Sequence, residues 1–99
     1  MAIMEISVVP IGTQSTSVSS FVAECVKIVD QQGLKYEVTS MGTEVEGPVD
    51  DLLKLAAQMH QAPFRQGALR VLTTIRLDER RDKELRIAGK KASILQRLK

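Results

Sequence analysis

Glu44 and Glu46 are the side chains in this sequence best spaced to do chemistry together. They stand two residues apart in Thr43-Glu44-Val45-Glu46, and on a strand that spacing puts both carboxylates on one face. Strands disfavour glutamate, so two in one short segment need a reason. Either both face water, or one of them answers an arginine or a positively charged ligand. Such a pair can accept from an amine and attract a cation. With no acid or base partner beside it, this is recognition chemistry rather than catalysis. A hydroxyl, Thr43, stands next to the pair, and Ser15 and Ser17 belong to an earlier polar loop. Arg76, Arg80 and Lys83 are the groups an anionic ligand would use.

The remaining reactive side chains are isolated. Cys25 falls inside an apolar helical stripe and reads as a small core residue. A nucleophilic thiolate needs a base or a cationic neighbour, and the one histidine, His60, belongs to another helix. His60 sits at the edge of its own apolar stripe and reads as partly buried with a satisfied hydrogen bond. No second His or Cys stands at metal-ligand spacing, and there is no Ser–His or Cys–His arrangement and no glycine-rich phosphate loop. The sequence therefore predicts no enzyme, no metal and no cofactor.

The elements that must position these groups follow from periodicity. Ile3 to Val9 alternates as a strand and Pro10 ends it. The loop 11–17 is dense in hydroxyls, and Thr16 or Ser17 is expected to cap the next helix. Val18, Phe21, Val22, Cys25, Ile28 and Val29 recur at spacings of three and four, which predicts a helix over 18–32 with Gly33 just past its end. Tyr36 to Ser40 and Thr43 to Glu46 alternate about Met41-Gly42, a hairpin whose glycine is expected to supply a positive φ. Gly47-Pro48 stops the second arm. Pro48, Asp50 and Asp51 suit the first turn of a helix running to about Ala62. The loop 63–67 leads to a strand over 68–78, a charged turn over 79–83, and a helix over 88–98. Leu85-Arg86-Ile87 reads as a brief strand or as the lead-in to that helix.

Strand, helix, strand, strand, helix, strand is the βαββαβ order of the ferredoxin-like sandwich, an α+β fold with a four-stranded antiparallel sheet and both main helices on one face. The last helix is an addition. Residues 1–99 make one domain. The other sheet face carries Glu5, Ser7, Arg70, Leu72, Thr74 and Arg76, too apolar for a solvated face and too polar for a core, which predicts a homo-oligomer through that face. Net charge is +2, yet residues 1–64 hold three basic and eight acidic side chains while residues 65–99 hold eleven and four. That asymmetry suits copies packed head to tail, halves that meet within one fold, or an acidic partner. Nucleic acid is the least favoured partner, because Phe21, Tyr36 and Phe64 all fall off the first and third strands where base stacking would need them. No apolar run approaches a membrane span, no basic-then-apolar leader opens the chain, and a lone cysteine forms no internal disulfide, so the cytoplasm is expected. Gly-Thr recurs in Pro10-Ile11-Gly12-Thr13 and Ser40-Met41-Gly42-Thr43, and these two loops are expected at opposite ends of neighbouring strands.

Several of these segments together resemble the small thiamine-binding-protein-like family. They are Pro10-Ile11-Gly12-Thr13 with Ser15 and Ser17; Met41-Gly42-Thr43-Glu44-Val45-Glu46-Gly47; Met59-His60 followed by Pro63-Phe64; Gly67 before Arg70-Val71; and Thr73 to Lys83. Each is moderately specific alone, and their order and spacing over nearly the whole chain carry the match. Ile11 and Ser40 stand where a more typical member reads Met and Pro. The resemblance implies a ferredoxin-like fold, dimers that pair as tetramers, and non-catalytic binding of thiamine or a related pyrimidine in the cytoplasm. A site for such a ligand would use Glu46 for the aminopyrimidine or the cation. Thr43, Ser15 and Ser17 would serve as hydroxyls and Met41 or Phe64 as an apolar ledge, with loops drawn from one subunit or two. The competing reading is an ACT-like regulatory or interaction module that binds another small metabolite or a protein. In that case an anionic ligand would sit by Arg76, Arg80 and Lys83.

Overall fold

The structure, a computed structural model, describes residues 1–98. The chain runs β1 (Ala2–Pro10), α1 (Ser19–Gln31), β2 (Tyr36–Val38), β3 (Thr43–Gly47), α2 (Val49–Arg65), β4 (Val71–Glu79) and α3 (Ile87–Arg97). The strands form one sheet in the order β2-β3-β1-β4, and every neighbouring pair is antiparallel. This is the ferredoxin-like α+β sandwich with an added terminal helix. Alternation on β1 sends Met4, Ile6 and Val8 to one face, where they meet Val45 of β3, Cys25 and Val29 of α1, and Leu52, Leu55 and Met59 of α2. Leu52 and Leu55 are fully buried, each worth roughly 1.5–3 kcal/mol of transfer free energy.

The structure corrects the sequence reading at five places. α1 begins at Ser19 with Val18 in the capping position, and no side chain caps it. The loop hydroxyls bond one another instead: Ser15 Oγ accepts from the Ser17 amide at 3.1 Å, and Ser17 Oγ lies 3.3 Å from Ser19 Oγ. α2 continues past Ala62 to Arg65 and takes Pro63 into its last turn. A proline lacks the N–H that would bond the carbonyl four residues back. That carbonyl, Met59 O, instead accepts from Cys25 Sγ at 3.5 Å. Gly42 has no positive φ; the glycines that do are Gly12, Gly33 and Gly67. Gly42 is small because a Cβ there would stand 2.9 Å from the Ile6 carbonyl oxygen. β4 starts at Val71 rather than Ala68, after Ile11 N has bonded Arg70 O at 2.8 Å.

The fifth correction concerns the two Gly-Thr loops, which lie at the same end of the sheet. Ile6 pairs with Thr43 and Ala2 with Gly47, so β3 begins where β1 is finishing. In an antiparallel pair the end of one strand meets the start of the other. α3 then closes part of the face opposite α1 and α2. Leu85 and Ile87 pack on Ile3 in a small second core. Lys90 bonds Asp78 of β4 at 2.9 Å and Lys91 bonds Glu37 of β2 at 2.8 Å. Residues 85–87 are thus the lead-in to α3. No helix among the described residues is long and apolar enough to cross a membrane.

Candidate functional site

At the end where β1 finishes, the 39–42 hairpin leans over the gap between the sheet and α1 and encloses a cavity of about 280 Å³. Its walls are apolar: Val9 of β1, Val18 and Val22 at the head of α1, Cys25 and Met59 beneath, and Val38 and Met41 from the hairpin. Its polar residues are Ser7, Thr39, Ser40 and Thr43, and among the described residues no charged side chain lines it. The hairpin holds its own shape. Thr39 N and Thr39 Oγ1 each donate to Gly42 O at 2.8 Å, and Thr39 Oγ1 accepts from Met41 N at 3.3 Å. That leaves Met41 81% exposed at the rim, while Thr43 is buried. Burial, with a smaller contribution from the Glu24 carboxylate, pushes the Cys25 thiol above its ordinary range. Cys25 therefore faces the cavity as a neutral, weakly polar wall. An apolar cup with a few hydroxyls and backbone groups suits a flat, mostly uncharged ring.

The structure divides the residues expected to form one site. Met41 and Thr43 line the cavity. Ser15 and Ser17 stand in the loop at the same end, exposed and outside the lining. Phe64, near the end of α2, turns its ring edge-on to His60 with centroids 5.6 Å apart. His60 Nδ1 lies 2.7 Å from Thr73 Oγ1, the satisfied hydrogen bond that its position predicted.

Glu46 departs furthest from expectation. It lies toward the other end of the sheet, paired with Ile3, on the face away from Thr43, and is 4% exposed. One oxygen accepts from Arg86 at 3.1 Å and the other from the Ile87 amide at 2.8 Å. Ile87 opens α3, so a carboxylate from a distant strand satisfies one of that helix's orphan donors. The carboxylate expected to meet a ligand is committed to an arginine and a helix start within the chain.

The three candidate anion-binding side chains also separate. Arg76 reaches Glu5 across the sheet at 3.4 Å. Arg80 pairs with Asp82, which raises the guanidinium's affinity for its proton and lowers the Asp82 carboxyl. Arg80 and Lys83 face a hollow beside α3 that Arg76 does not reach. Sequence reasoning assigned Val18, Val22 and Cys25 to a core stripe and overlooked them as cavity walls. It also overlooked Arg86, whose place between Leu85 and Ile87 marked it only by its charge.

A model of the Thiamine-binding protein family matches residues 4–95. The chain belongs to this family. Among its relatives, the UPF0045 protein YqgV of Bacillus subtilis is 41% identical over 98 residues, covering 95% of this chain and 94% of its own. A UPF0045 protein of Methanothermobacter thermautotrophicus is 35% identical over 99 residues, covering 99% of this chain and 100% of its own. The crystal structure of the hypothetical protein MJ1052 of Methanocaldococcus jannaschii superposes with a TM-score of 0.85 at 33% identity, covering 94% of each chain. A Thermotoga maritima protein, provisionally described as one of thiamine biosynthesis or salvage, superposes with a TM-score of 0.80 at 20% identity. It covers 94% of this chain and 97% of its own, a likeness of fold.

Proposed function

We propose that this protein binds thiamine or a related pyrimidine without transforming it, in the cavity beneath the 39–42 hairpin. The observation that carries the reading is the cavity itself, apolar in its walls and uncharged in its lining, in a chain of the Thiamine-binding protein family. Its volume falls at the lower edge of ligand pockets, which run from roughly 300 Å³ upward. The aminopyrimidine ring enters between Val22 and Val38, with the Thr43 hydroxyl and the hairpin backbone as its polar partners. The thiazolium cation stays at the mouth beside Met41, in water, since nothing in the lining would offset its charge. The role is binding rather than catalysis, because the cavity holds no acid–base pair and its one thiol stays protonated. The protein acts in the cytoplasm as a homo-oligomer, dimer or tetramer, joined through the exposed part of the sheet face that bears Leu72, Thr74 and Arg76.

Calorimetry with thiamine and with its isolated aminopyrimidine tests this reading. Both give saturable heat with the native chain. Thr43→Val weakens both, by the roughly 0.5–1.5 kcal/mol of one neutral hydrogen bond. No saturable heat with either compound would end the proposal and leave the fold untouched.

A further inference from the structure

A second hollow, of about 560 Å³, lies near the opposite end of the sheet, between the end of β4, the turn that follows it and α3. Arg80, Lys83, Arg86, Lys90 and Arg97 line it against two carboxylates, Asp78 and Glu84, while Asp82 and Glu46, outside the lining, also pair with Arg80 and Arg86. Those carboxylates are engaged, Asp78 with Lys90 at 2.9 Å and Glu84 with Arg86. Among the described residues Lys83 and Arg97 make no ion pair. A second observation is independent of charge. Gly89 is a glycine inside α3, where glycine is among the poorest helix formers. Nothing among the described residues requires it. Its φ is not positive, and a Cβ there would meet only Arg86 Cβ, at an ordinary 3.9 Å. Its effect is to leave bare backbone on the wall of the basic hollow.

We propose that this hollow is a binding site for a phosphate-bearing small molecule. Its phosphate oxygens are held by Lys83 and Arg97 and approach α3 closely at Gly89, where a methyl group would stand in the way. Charge-assisted bonds to phosphate are the strongest that such side chains make. The exposed Ile94 beside them offers an apolar surface to the rest of the molecule. A long polyanion fits less well, because Asp78 and Glu84 interrupt the basic surface and no aromatic side chain in the lining can stack a base. The site is separate from the cavity under the hairpin, so it stands or falls independently of the thiamine reading.

Inorganic pyrophosphate is the probe, titrated calorimetrically into the full chain at constant ionic strength so that general screening does not change. The native protein gives a saturable heat. Lys83→Gln weakens binding by about tenfold, the loss of one charge-assisted contact. Gly89→Ala raises the melting temperature of the free protein, because alanine favours helix, and yet weakens pyrophosphate by a similar factor. A residue with a purely structural part would not separate stability from affinity in this way. The proposal is overturned by absence of saturable heat, by either variant binding as the native chain does, or by a single-stranded oligoribonucleotide that displaces pyrophosphate and binds more tightly.

Discussion

Glu46 shows how much a single carboxylate depends on its surroundings. Two oxygens, two donors and 4% exposure make it a fastener for α3. Glu46→Ala strands the Ile87 amide in a buried place, and the expected loss is about 1–3 kcal/mol of unfolding free energy, read from urea denaturation. Glu46→Gln keeps an acceptor for the amide and loses less. Thiamine affinity stays at the native value in both, and a tenfold drop would return Glu46 to the ligand site. Cys25 makes a different kind of prediction. Its thiol is raised in the folded state by burial, so the folded chain holds that proton more firmly than the unfolded one. The associated stability is complete below the unfolded thiol's range and fades as pH climbs through the folded value. Denaturation midpoints measured from neutral to alkaline pH should fall more steeply in the native chain than in Cys25→Ala, and parallel curves would contradict this.

At the scale of elements, the hairpin is the most constrained piece. Gly42→Ala would press a methyl group to 2.9 Å from Ile6 O. Backbone cannot yield as a side chain does, so the hairpin must lift, at a cost of about 1–3 kcal/mol and with weaker thiamine binding as the cavity opens. Leu55→Ala in α2 should cost about 2–5 kcal/mol without touching the cavity, which provides the contrast. The order of elements and the core faces of β1, α1 and α2 were readable in the sequence because periodicities of two and near four encode burial directly. Gly33 was readable too, and its φ of +74° ends α1 as expected. What stayed hidden depends on distant neighbours. Gly42 answers to a carbonyl in another strand, Pro63 is accommodated by a thiol in another helix, and Glu46 is claimed by an arginine forty residues on. Local rules read each of these as turn, break or ligand, since the competing partner is supplied only by the fold.

Across the whole molecule, β4 is an edge strand whose Leu72, Ile75 and Leu77 stay exposed. α3 covers only the end of the adjoining face and leaves Ile94, Leu95 and Leu98 bare. Sedimentation at micromolar concentration should therefore find a species heavier than the 10.9 kDa monomer, and Leu72→Glu should shift it toward the monomer. A native chain that sediments only as monomer would remove the interface. If acidic and basic halves of different copies meet in the proposed oligomer, its sedimentation should shift toward the monomer as salt is raised.

β3 carries Thr43 toward the cavity and, three residues later, Glu46 toward α3 on the reverse face. One five-residue strand thus serves two masters that never touch. Substitutions around the hairpin can reshape the cavity while the terminal helix stays fastened, and the basic hollow beside that helix can drift in its own direction. A lineage built on this scaffold is free to remodel one pole without refolding the other.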